Sequence, residues 1–153
     1  MKGLKISKAS LGDAEAIRGL IEVYAEENKM LRRSLSEIYT VIREFHIAKK
    51  DGEVVGCAAL HVYSREMAEI RSLAVEQSLT LKGVGSALVE EVLKEAKQLG
   101  VKKVFTLTMV PEFFEKMSFY LVDRDTLPMK IWADCIKCPK FMECDEHPYV
   151  KEI

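Results

Sequence analysis

The stretch that most constrains this chain runs from Glu69 to Val110, where a strand, a glycine loop, a long helix and a second strand follow one another. Glu69 to Val75 reads as a strand. Gly83-Val84-Gly85 then opens a helix whose Val84, Leu88, Val92, Ala96 and Leu99 share one stripe, and Gly100 stands where a left-handed helix end belongs. Val101 to Val110 is rich in β-branched residues and reads as a strand buried on both faces.

The flanks extend this unit. Leu4 to Lys8 alternates apolar and polar residues as a half-buried strand does. Two capping boxes, Ser10 with Asp13 and Ser34 with Glu37, predict a helix carrying Ala16, Ile17, Leu20 and Ile21 and a shorter one through about Arg43. The polar loop Glu27 to Arg33 joins them. Asp51-Gly52 between Phe45–Lys49 and Val54–Tyr63 is a hairpin signal. Pro111 starts a short helix to Met117, and Phe119–Asp123 and Lys130–Cys135 read as two more strands. A strand–helix–strand unit flanked by hairpins gives an α/β or α+β class with a mixed sheet, expected as one domain over residues 1–153.

Composition narrows the function. Lys and Arg number 23 against 24 acidic residues, intermixed along the chain, which argues against nucleic acid or an anionic membrane as partner. Neither a membrane-length apolar run nor a signal-peptide block is present, so the expected location is the cytoplasm. A homodimer is neither required nor opposed by the sequence.

Gly83-Val84-Gly85-Ser86 leaves backbone N–H groups at a helix N-terminus aimed at one spot, an arrangement that suits coenzyme phosphates, with Lys82 beside it. The same loop serves equally as a turn that packs a helix on a strand. It has neither the G-x-G-x-x-G spacing nor a Gly-Lys-Ser/Thr sequence.

Three segments together are more specific. Glu69-Ile70-Arg71-Ser72-Leu73-Ala74-Val75, Lys82-Gly83-Val84-Gly85-Ser86-Ala87-Leu88 and Phe113-Phe114-Glu115-Lys116-Met117-Ser118-Phe119 resemble, in this order, the motifs of the GNAT acetyltransferase family. The resemblance runs from Leu4 to about Trp132. It implies a central mixed sheet with two parallel strands splayed apart and flanked by helices, and acetyl-CoA as co-substrate. The pantetheine arm is then expected along Leu73, Ala74 and Val75, the pyrophosphate on Lys82, Gly83, Val84, Gly85 and Ser86, and Phe114 beside the coenzyme. A backbone N–H near Leu73 would stabilise the developing oxyanion.

This chain departs from the family pattern at three points. Thr80-Leu81 stand where Arg-Gly is expected, Ser118 replaces a glycine, and Phe114 replaces the tyrosine that often protonates the leaving thiolate. Tyr120, water or no acid at all is left for that step.

The run Leu127 to Phe141 with Cys144-Asp145-Glu146, and the segment Leu31 to Tyr39, are similar to short N-acetylglutamate synthases, which lack an amino-acid-kinase-like domain. That likeness implies acetylation of the α-amine of glutamate, the opening step of arginine synthesis. Two carboxylates call for guanidinium groups, and Arg32, Arg33 and Arg71 are the candidates. Arg71 is expected on one face with Glu69, Leu73 and Val75. Glu69 is a candidate general base, and His61, sharing a face with Cys57, Ala59 and Tyr63, is its rival. Surface exposure for the loop arginines and a simple Arg71–Glu69 pair are the alternatives.

Cys135, Cys138 and Cys144 have metal-like spacing, with His147, Asp145 or Cys57 as a fourth ligand, but a zinc knuckle shows two clear pairs. Apolar packing or a Cys135–Cys138 redox pair fits as well, and no metal is assigned. A GNAT enzyme with a polyamine or protein N-terminus as acceptor, and a non-catalytic coenzyme-sensing or metal-binding module, remain the competing readings.

Overall fold

Residues 3–80, 82–127 and 147–153 are described by the computed structural model. Their elements are β1 (Leu4–Lys8), α1 (Ala14–Glu26), α2 (Leu35–Thr40), β2 (Phe45–Lys50), β3 (Glu53–Val62), β4 (Met67–Val75), α3 (Val84–Leu99), β5 (Lys103–Thr108), α4 (Pro111–Lys116), β6 (Tyr120–Leu121) and β7 (His147–Glu152). They form one mixed sheet in the order β1-β2-β3-β4-β5-β7-β6.

Local chemistry explains the punctuation. Asp51 and Gly52 both take left-handed backbone, with φ of 51° and 85°, as the hairpin turn that matches strand twist requires. Ser34 Oγ accepts from the Glu37 amide at 3.1 Å while the Glu37 carboxylate accepts from the Ser34 amide at 3.2 Å, closing the capping box of α2. That helix is shorter than expected, because the chain tightens into a 3₁₀ turn over Ile42–Glu44. Gly100 ends α3 in the left-handed conformation, φ 89°.

Each face of the sheet is covered. On one, Val84, Leu88, Val89, Val92 and Ala96 of α3 pack on Ala58, Leu60, Ala68 and Ile70. On the other, Ala14, Ile17, Ile21 and Ile38 of α1 and α2 pack on Phe45, Ile47, Cys57, Ala59 and Ala74. The central strand β3 is therefore buried continuously from Val55 to Leu60.

The strands of the central unit do splay. β4 and β5 are parallel, but their register holds only for Met67–Lys103, Ala68–Val104 and Glu69–Phe105. Past that point β5 is held on its far edge by β7, pairing as far as Thr108–His147. The Thr106 hydroxyl reaches across the opening gap to the Ile70 carbonyl at 3.2 Å.

Two strand expectations change. The segment after α4 yields only Tyr120–Leu121, and the sequence reading missed β7 altogether. The expected strand Lys130–Cys135 lies outside the described residues. Ser118, just past α4, has φ 70°, where a residue with a Cβ carries about 1 kcal/mol of strain. Ser118→Gly is therefore expected to stabilise the protein by about 1 kcal/mol, a Tm rise of about 2–4 °C in thermal unfolding; an unchanged Tm would show the position is relaxed.

Candidate active site

The site begins with one irregularity in β4. Arg71 pairs with Ala59 and Ala74 with Cys57, so Ser72 and Leu73 together oppose Ala58 alone. Ser72 adopts φ 53°, left-handed, and this bulge inverts the alternation of side chains. Arg71, with Glu69 bonded to it, and Ala74 lie on the α1–α2 side, while Ile70, Leu73 and Val75 face α3. The expectation that Glu69, Arg71, Leu73 and Val75 share a face is thus corrected: the extra residue splits them into two pairs.

On the α1–α2 side, Arg33, Glu37, Ile38, Thr40, Val41, Glu44, Phe45, Ala59, Arg71 and Ser72 line an open cleft of about 140 Å³. Arg33 reaches it from the loop before α2, with Nη1 3.6 Å from Glu37 Oε2. Arg32 does not line it: its Nε donates to both oxygens of Glu22 on α1, at 2.8 and 2.9 Å, and its side chain is 59% exposed. Of the three candidate arginines, two converge and one is turned away.

Beside the cleft, Glu69 is buried against β3. Arg71 Nε donates to Glu69 Oε1 at 2.8 Å, the Tyr63 hydroxyl donates to the same oxygen at 3.0 Å, and Arg71 Nη2 donates to the Tyr63 hydroxyl. The guanidinium lies 5.7 Å from the Tyr63 ring centre, and that ring stacks on Phe105 at 5.9 Å. Burial pushes the Glu69 carboxyl above its ordinary value, with Arg71, Tyr63 and His61 opposing the shift. Burial, reinforced by the adjacent Glu69 carboxylate, also holds the Tyr63 hydroxyl well above the usual phenol range, so it remains a donor. His61 sits opposite Glu69 in the β3–β4 register, and its Nδ1 is 2.9 Å from Glu44 Oε2. Sequence reasoning missed Tyr63 and Glu44; period-two spacing from His61 was the available signal for Tyr63, and Glu44 had none.

On the other face lies the glycine loop. A 3₁₀ turn over Gln77–Leu79 leads to Thr80 in ordinary extended backbone, φ −62°. A threonine there carries no backbone penalty, while Leu81 lies outside the described residues. Gly83, at φ 90°, starts α3, whose first-turn amides at Val84, Gly85 and Ser86 have no acceptor within the helix. A Cβ at Gly85 would stand 3.4 Å from the Phe113 ring, so glycine permits this close approach. The path expected for the coenzyme runs from this helix N-terminus toward the gap between β4 and β5. The Val75 carbonyl on that path accepts from the Tyr24 hydroxyl of α1 and keeps one lone pair for a second donor.

The Phe114 ring lies in the core cluster that also holds Val75 and Val84. It is 3% exposed and packs edge-on against Phe113 and Phe119, at centroid distances of 4.9 and 5.2 Å. The Tyr120 hydroxyl donates to Glu152 at 2.7 Å. Cys57 is buried, its thiol pushed up to about 12 by burial, and it donates to the Ser72 carbonyl at 3.4 Å. A neutral packed thiol of this kind is a poor metal ligand. Cys135, Cys138, Cys144 and Asp145 lie outside the described residues.

Comparison with known proteins fits this geometry. The chain is 43% identical over 148 residues to an uncharacterized N-acetyltransferase of Chlorobaculum tepidum, covering 97% of this chain and 96% of that protein. It is 37% identical over 132 residues to an amino-acid acetyltransferase of Mycobacterium tuberculosis, covering 84% and 75% respectively. The crystal structure of N-acetylglutamate synthase from Neisseria gonorrhoeae, complexed with coenzyme A and N-acetyl-glutamate, superposes with a TM-score of 0.88 at 28% identity. That match covers 97% of this chain but only 35% of the gonococcal chain. Residues 15–121 match the acetyltransferase (GNAT) family. With splayed parallel strands and a glycine-started helix already in place, the chain belongs to the GNAT acetyltransferase family and takes its acetyl group from acetyl-CoA.

Proposed function

We propose that this protein is an amino-acid N-acetyltransferase whose acceptor is the α-amine of glutamate, acting in the cytoplasm at the entry to arginine synthesis. The observation that carries the reading is the convergence of Arg33 and Arg71 on one cleft that ends at the β4 bulge. Two guanidinium groups at one small cleft suit a dicarboxylate, and Glu37 and Glu44 on the same wall add acceptors for an ammonium group. The likeness to an amino-acid acetyltransferase and to a synthase bound to N-acetyl-glutamate points the same way. Polyamine acceptors suit an acidic lining, which this cleft, with its two arginines, is not.

Each element then has a task. The coenzyme supplies an activated thioester carbonyl. The first-turn amides of α3, with Lys82 beside them, hold its phosphates. The Leu73 amide, at the bulge where the β3 register skips a residue, stabilises negative charge developing on the carbonyl oxygen. Arg33 and Arg71 fix the acceptor's carboxylates so that its amine meets the thioester across the bulge. Glu69 takes the amine proton, directly or through one water, and burial, by raising its affinity for protons, makes it a stronger base than an exposed carboxylate. No helix among the described residues is long and apolar enough to cross a membrane.

Turnover of acetyl-CoA, followed as free thiol release, tests the acceptor: saturable release is expected with glutamate and not with other amino acids or spermidine. Release with spermidine alone would refute the reading. Arg33→Ala and Arg71→Ala are each expected to raise the KM for glutamate by about ten- to a hundredfold, the loss of one charge-assisted contact. Arg32→Ala, whose side chain is committed to Glu22, should leave KM unchanged. For Glu69→Gln, kcat/KM should fall by about a hundredfold or more. The wild-type acid limb belongs to a carboxylate titrating above its ordinary range, with activity lost as pH falls through that value. In E69Q this limb should vanish, and the residual rate should rise with the amine's own deprotonation.

A further inference from the structure

The buried position of Glu69 raises the question of where its proton goes. Turnover that starts from an ammonium and ends in an amide and a thiol releases one proton net. Arg71 cannot relay it, because a guanidinium does not give up its charge. Tyr63 already donates to Glu69, and burial with the neighbouring carboxylate keeps its hydroxyl protonated. Among the described residues, His61 is the remaining titratable group acting on Glu69, directly cross-strand from it, where side chains start about 5 Å apart at Cβ.

Its surroundings are arranged for transfer. A carboxylate oxygen 2.9 Å from Nδ1 fixes the tautomer with hydrogen on Nδ1 and leaves the basic lone pair on Nε2. The side chains of His61 and Glu44 are 30% and 27% exposed, against 11% for Glu69, so the pair bridges the buried carboxyl and solvent. Among the described residues, the charged and titratable groups around His61 are Glu44 from the turn before β2, Glu69 and Arg71 from β4, and Tyr63 just past the end of its own strand, whose ring meets the imidazole edge-on at 4.8 Å.

We propose that His61, oriented by Glu44, is the outlet through which the proton collected at Glu69 reaches solvent; this rests on the reading of Glu69 as the base. The Glu69 O–H bond breaks and an N–H bond forms at Nε2 through one bridging water. The imidazolium then releases that Nε2 proton to buffer. Glu44 accepts from Nδ1–H throughout, and no electrons change hands.

The test is turnover of the full chain in weak and strong imidazole buffers at constant ionic strength. His61→Asn places an amide N–H near the old Nδ1 and keeps the Glu44 bond, but has no titrating lone pair. Its kcat is expected to fall by up to about a hundredfold in weak buffer and to recover saturably with added imidazole, at unchanged glutamate KM. Wild-type kcat should be flat across the same series. If H61N does not fold, as judged by its thermal unfolding, His61→Gln is read in the same way. A deficit that imidazole leaves untouched would make His61 a packing residue and overturn the outlet. So would wild-type turnover in H61N at every buffer strength. If E69Q collapses while H61N is unaffected, the outlet alone is wrong; if E69Q turns over normally, the base reading falls and takes the outlet with it.

Discussion

The site hangs on the backbone of Ser72. A left-handed residue with a Cβ costs about 1–2 kcal/mol, and here regular β3 pairing on either side of it, Ala59–Arg71 and Cys57–Ala74, holds it in place. The buried Cys57 thiol adds a contact to the Ser72 carbonyl. In return, one strand presents two different surfaces. Ahead of the bulge Arg71 lines the cleft beside α2, with Glu69 bonded to it. Beyond it, Leu73 and Val75 turn toward α3, and backbone released from the ladder lies along the gap to β5. An unbulged strand would put all four side chains on one face and keep the Leu73 amide in the sheet.

Glu69 is the second constraint, because an ionised carboxylate with 8% exposure is tolerable only when its lone pairs are answered. Arg71 and Tyr63 both donate to one of its oxygens. The balance is tuned rather than saturated: burial still wins over the attractive contacts, leaving a carboxyl that gives up its proton later than usual. Arg71 consequently has two tasks that no single substitution separates. It lines the cleft, and it sets how readily Glu69 is protonated. A loss on removing Arg71 therefore mixes acceptor binding with base strength, whereas Arg33, which does not touch Glu69, reports on the acceptor more cleanly.

What was legible in the sequence was what local backbone chemistry dictates. Asp51-Gly52, Gly83, Gly100 and the Ser34–Glu37 box stand where they were read, because turn and cap geometries accept few residue types. The bulge was not legible: Ile70-Arg71-Ser72-Leu73 alternates as any strand does, and serine is no signal for a left-handed residue. Arg32 and Arg33 are neighbours with opposite fates, decided by Glu22 ten residues away on α1, which only the folded chain brings into reach. Strand β7 was hidden by Pro148, which breaks the strand pattern although its carbonyl pairs with the Val122 amide. Phe114, which likeness puts beside the coenzyme, packs edge-on between Phe113 and Phe119, contacts that only the folded chain creates.

The missing hydroxyl bears on whether a chain with Phe114 in place of a tyrosine can be catalytic. A phenyl ring has no proton to give, and the Tyr120 hydroxyl donates to Glu152. The chemistry does not demand one. A thiolate whose conjugate acid ionises near the cysteine range, at about 8.5, is a competent leaving group near neutral pH, unlike an amine or an alkoxide. The harder step is at the other end, where an α-ammonium must lose its proton before it can attack, and there the chain concentrates its buried carboxyl, its arginines and its histidine. A chain without a tyrosine at that position is thus still fit for the reaction, so Phe114 is no argument for a degenerate binding module.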